Sequence, residues 1–118
     1  MSLLTQEKSV ENNSRFSRDN LRSQYKKVRH FSNYLTECLE TEDFVVQPME
    51  QASPTKWHLA HTSWFFETFV LGKFQANFES LHPQYAYLFN SYYLQTGVPF
   101  TRSMRGMISR PTVKEVFE

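Results

Sequence analysis

The sequence predicts an all-α protein, a partial up-and-down helical bundle with about three helices and the start of a fourth. Three observations carry this reading. Apolar residues recur at steps of three and four over two long stretches, which is the helical period. Only 3 Gly and 5 Pro occur in 118 residues, too few for the many tight turns of an all-β fold. The aromatic share is high, at 16%, with 11 Phe, 6 Tyr and 2 Trp, so a few large side chains can fill a core.

The elements follow in order. Residues 1–18 are polar and read as a mobile tail. A first helix is expected over 19–40, where Leu21, Tyr25, Val28, Phe31, Leu35, Cys38 and Leu39 form one stripe and Arg22, Lys26, Lys27 and Arg29 lie mostly off it. Residues 41–52 read as a loop containing Pro48. A second helix is expected over 54–71, with Ser53 as its N-cap, Pro54 at its first position and Gly72 as a left-handed stop. It is apolar on most sides, as a central core helix is. Residues 83–94 give a third, shorter helix rich in Tyr. Residues 95–110, with Gly97, Pro99 and Gly106, form a long connection. Thr112 and Glu115 then have the spacing of a capping box that opens another helix. One or two turns of helix are not stable alone, so the chain is expected to be a fragment or to borrow a partner.

Charge and composition exclude several classes. With 13 Lys+Arg against 12 Asp+Glu the net charge is +1, far from the basic face that nucleic acid requires. A single Cys excludes an intrachain disulfide and any multi-cysteine zinc site. No leader-like apolar run opens the chain, and no stretch has the roughly 20 apolar residues that span a bilayer. A soluble, cytoplasmic protein of one domain over 19–118 is expected.

Few residues suggest chemistry on their own. His58 and His61 stand three apart on the most apolar helix, a spacing that lets two imidazoles share a face and a metal. Against that, a metal site needs about three protein ligands, and core histidines bonded to a backbone partner are commoner. Glu67, six residues after His61, reads as a surface or buried hydrogen-bonding carboxylate. His30 and His82 read as surface residues. Arg102 and Arg105, three apart in the connection, can clamp a carboxylate bidentately, although plain surface charge is the more usual fate of Arg.

Three blocks taken together are more specific. Ser53–Phe69 (SPTKWHLAHTSWFFETF), Leu88–Tyr93 (LFNSYY) and Arg105–Val116 (RGMISRPTVKEV) resemble, in that order, the conserved blocks of the EgtB-type iron-dependent sulfoxide synthases of ergothioneine biosynthesis. The resemblance implies a DinB-like four-helix domain followed by a C-terminal domain related to formylglycine-generating enzymes. It implies an Fe(II) centre held by three His. The family uses O2 to join a thiol, that of γ-glutamylcysteine or cysteine, to the imidazole of hercynine as a sulfoxide. By the same resemblance His61 is a metal ligand, and Arg102 and Arg105 bind the carboxylates of the thiol substrate; the resemblance does not single out His58, which is next in line only where a partner chain supplies further ligands. The family's other two ligands lie in a His-x-x-x-His motif on a later helix that this sequence does not reach. No turnover is therefore expected from this chain by itself. Two other readings stand beside this one: a non-catalytic helical module that dimerises through its exposed aromatic surface, and a stand-alone DinB-like metal-binding protein whose site forms in a homo-oligomer.

Overall fold

The computed structural model describes residues 17–91 and 99–118; the 1–16 tail, residues 92–94 of the expected third helix and the start of the connection lie outside them. The fold is all-α. Among the described residues the β pairing is limited to one isolated antiparallel bridge between Met49 and Ala52. No helix among them is long and apolar enough to cross a membrane. The chain divides into two compact units between Cys38 and Leu39.

The first unit holds one helix, α1 (Arg18–Thr36). Ser17 caps it by accepting the Asn20 N–H at 3.2 Å, and Asp19 in the first turn suits the helix dipole. The helix stops at Thr36 rather than at residue 40 as the stripe suggested. Glu37 caps it, with its N–H donating to the Tyr34 carbonyl at 3.2 Å, and Glu40 is recruited elsewhere. Glu40 and Asp43 form a capping box for the 3-10 turn Thr41–Val45, which requires Glu40 to be extended. The expected loop 41–52 therefore begins with an ordered turn. Within its own unit α1 buries none of its residues.

The second unit holds the core. Its centre is α2 (Thr55–Phe66), which starts one residue later than expected. Pro54 is the N-cap, in extended conformation, and no side chain caps the first turn. Ser53, the expected cap, instead accepts a hydrogen bond from a distant arginine on its hydroxyl oxygen. Beyond Phe66 the helix widens into a π turn, Glu67–Leu71, and closes with the short α turn Gly72–Phe74. Gly72 is not a left-handed stop: its φ of −64° is right-handed, and the helix passes through it. What the position needs is the missing side chain, because a Cβ there would stand 2.9 Å from the Glu67 carbonyl oxygen. Among the described non-glycine residues the left-handed one is Asn77, with φ 58°.

Trp57, Ala60 and Trp64 of α2 pack with Phe89 as a buried cluster, bordered by Phe65, Phe69, Tyr85, Leu88, Ile108 and Val116. Phe44 of the 3-10 turn is also buried and meets Phe117 edge-on. A fully buried aromatic removes about 150–250 Å² from water. At about 25 cal/mol per Å² that is an upper bound of about 4–6 kcal/mol for a residue such as Trp64.

The third helix, α3 (Tyr85–Phe89), is much shorter than expected. It ends where Asn90 turns extended and is fully buried. The connection contains a second 3-10 helix, Arg102–Met107. After a cis Arg110–Pro111 peptide, α4 (Val113–Phe117) opens with the expected Thr112–Glu115 capping box.

Candidate functional site

The end of α3 sets the site. A helix leaves its last carbonyls without intrahelical donors. Two side chains of α2, one turn apart, supply them. Trp57 Nε1 donates to the Leu88 carbonyl at 2.9 Å, and His61 Nδ1 bonds the Phe89 carbonyl. A carbonyl oxygen only accepts, so Nδ1 carries a proton; in the neutral ring that leaves the lone pair on Nε2. The ring is fixed in orientation as well. It lies nearly parallel to Trp57, with centroids 4.9 Å apart and planes 11° apart, and meets Trp64 at 5.7 Å.

Arg105 also lies against the Trp57 ring. Its guanidinium carbon is 3.6 Å from the Trp57 ring centroid, Nη1 donates to Ser53 Oγ at 2.8 Å, and the residue is 5% exposed. A desolvated cation over an indole face is worth about 2 kcal/mol or more. Arg102 comes to the same place through local geometry. A 3-10 helix has three residues per turn, so positions 102 and 105 share a face. The Gln47 amide pins this helix at both ends: Nε2 donates to the Arg102 carbonyl at 2.8 Å, and Oε1 accepts the Gly106 N–H at 2.6 Å. Gly106 is needed for that approach, since a Cβ there would lie 3.1 Å from Gln47 Cβ. Lys56, buried on α2, donates to the Ile108 carbonyl at 2.9 Å and holds the next stretch of the connection.

A cavity of about 320 Å³ lies at this junction, lined by Gln51, Ser53, Trp57, His58, His61, Ser91, Arg102 and Arg105. All four site residues singled out in the sequence therefore meet in one place. Gln51, Ser53, Trp57 and Ser91 were not read as site residues, although Ser53 was read as a helix cap and Ser53, Trp57 and Ser91 lie within the quoted blocks. No carboxylate stands among the lining residues, so the cavity favours an anion. Although His58 as a whole is exposed, its ring rests edge-on to Trp57, 5.3 Å between centroids. Desolvation, then the charges of His61, Arg105 and Arg102, hold its pKa below the ordinary 6.5.

The iron implied by the resemblance finds one fitting ligand here. His61 has the tautomer and the backbone-anchored orientation typical of a metal-binding imidazole. Among the described residues no group of three His, Cys, Asp or Glu comes together that could hold a metal ion. No family model matches the chain, and no curated protein matches it.

Proposed function

We propose that this chain carries one side of the active site of an EgtB-like, iron-dependent sulfoxide synthase, which joins the thiol of γ-glutamylcysteine or cysteine to hercynine. The observation that carries the reading is a single cavity wall combining His61, its Nδ1 committed to a backbone carbonyl, with Arg102 and Arg105. In this reading His61 Nε2 is one of three iron ligands, and the other two come from outside the described residues. Iron, when bound, supplies the activation of O2. The chain's own residues do the positioning. Arg105 is held rigid by Trp57 and Ser53, and Arg102 stands beside it, so a substrate carboxylate meets two guanidinium groups in a fixed place. A charge-assisted hydrogen bond of this kind contributes about 1.5–3 kcal/mol.

The test is calorimetric titration of the chain with γ-glutamylcysteine and with cysteamine, a thiol that lacks carboxylates. Tighter binding of γ-glutamylcysteine is expected, weakened at least about tenfold in Arg102→Ala, the equivalent of roughly 1.4 kcal/mol. Equal binding of the two thiols, or an unchanged Arg102→Ala, sinks the carboxylate role. In the same protein, long-range proton–nitrogen NMR of the His61 ring should find Nδ1 protonated and Nε2 bare. The opposite tautomer would remove His61 as the ligand proposed.

A further inference from the structure

A second cavity, of about 270 Å³, lies beside the carboxy-terminal part of α2 and shares no lining residue with the first. Its wall is mostly apolar, with Trp64, Phe78, Pro83 and Ala86 among its residues. Glu67 also lines it, and this carboxylate is only 7% exposed. Its hydrogen-bond partner is Ser80, whose hydroxyl donates to Oε2 at 3.3 Å. The ion pair found among the described residues joins Lys114 to Glu118, so no cation of these residues pairs with Glu67. An ionised carboxylate has about four acceptor positions. Burying it with one neutral donor and no ion-paired cation among the described residues is costly.

The backbone marks the same place. Glu67 and Gly72 bracket the π turn, and both line the cavity. A single π turn within an α-helix is rare and often sits at a functional site. This one is held open by the lack of a side chain at Gly72, whose Cβ would collide with the Glu67 carbonyl oxygen at 2.9 Å. The widened turn, the glycine and the buried carboxylate thus belong to one feature.

We infer that this cavity binds a small organic ammonium ion, with Glu67 as its counter-ion. The chemistry follows from the lining. The carboxylate calls for a donor with positive charge, and a primary ammonium offers three N–H groups. Phe78, Pro83 and Ala86 offer an apolar wall, which favours an amine with a compact hydrocarbon body over a hydrated metal ion. The size is at the lower edge of ordinary ligand pockets, which restricts the body to about one ring or a short chain. The inference does not depend on the iron site: neither its residues nor its ligand are shared.

The experiment uses the whole chain and two isosteric probes, benzylammonium and benzyl alcohol, followed by amide and indole NMR shifts. Benzylammonium should shift the Thr68 and Ser80 amides and the Trp64 indole, with a dissociation constant of about 1 mM or tighter for a ligand of this size. Benzyl alcohol should bind at least about tenfold more weakly, because it lacks the charge. Glu67→Gln keeps the shape and should lose at least about tenfold in benzylammonium affinity. Equal affinity for the two probes, no saturable shift with either, or a folded Glu67→Gln that binds as the parent does would each overturn the proposal. If Glu67→Gln fails to fold, the comparison of the two probes on the parent decides.

Discussion

Replacing Arg105 by Lys keeps the charge and removes the shape, and it isolates what holds the anion-favouring wall together. Two contacts are at stake. The planar guanidinium lies 3.6 Å from the Trp57 centroid and donates to Ser53 Oγ at 2.8 Å, in a residue that is 5% exposed. The buried cation–π contact is worth about 2 kcal/mol and the charged hydrogen bond about 1.5–3 kcal/mol. An ammonium retains part of the first and little of the second, because it cannot lie flat on the indole while reaching Ser53. The expected loss is about 2–3 kcal/mol, or roughly 10–20 °C in melting temperature for a unit of this size. Tryptophan fluorescence is the right assay, since the chain has 2 Trp and both, Trp57 and Trp64, lie in the second unit. A double-mutant cycle with Ser53→Ala should show coupling of at least about 0.5 kcal/mol. An Arg105→Lys protein within about 0.5 kcal/mol of the parent would refute the claim that Arg105 is fixed by stacking.

Three further outcomes are expected. Gln47→Ala removes both pins of the 3-10 helix Arg102–Met107; because both bonds are exposed, the cost to stability in urea unfolding should be small, about 1–2 kcal/mol, while γ-glutamylcysteine binding weakens severalfold. Gly72→Ala should destabilise, reversing the usual gain of about 1 kcal/mol for Gly→Ala in a helix, since the new Cβ meets backbone oxygen rather than a yielding side chain; a higher melting temperature would contradict the π-turn assignment. For His58 the folded pKa is depressed, so the unfolded chain binds the proton more readily. Its contribution is fully present above about pH 6.5 and is lost as pH falls through the lower, folded value. His58→Gln should flatten the pH dependence of stability in that window, and an unchanged slope would rule out His58 as its source.

The helical class and the core helix were legible because Trp57, Ala60 and Trp64 keep the helical period in a long apolar run. The end points were less so. Ser53 has the chemistry of a cap, but its hydroxyl is claimed by Arg105, a contact 52 positions away that no local pattern encodes. Gly72 has the chemistry of a stop, yet here it serves a π turn whose spacing of five differs from the helical period by too little to read. Glu40 looked like the end of α1, and its pairing with Asp43 shows it opening the next turn. The four candidates His58, His61, Arg102 and Arg105 were singled out in the sequence, and the structure gathers them at one cavity. What the sequence did not yield was the orienting set: the Phe89 carbonyl, the Trp57 stack and the Gln47 clamp are tertiary contacts. Glu67, read as a surface or buried hydrogen-bonding carboxylate, is buried and bonded to Ser80, and His82, read as a surface residue, is exposed; both line the second cavity.

The proposed role of His61 in an iron-dependent sulfoxide synthase is tested most directly by product formation. The chain would be joined to a segment bearing a His-x-x-x-His pair and an EgtB-type C-terminal domain, and supplied with hercynine, γ-glutamylcysteine, Fe(II) and O2. Mass spectrometry should find the sulfoxide with the parent protein, none with His61→Ala, and none with the 118-residue chain alone. Undiminished sulfoxide formation by His61→Ala would contradict the proposal.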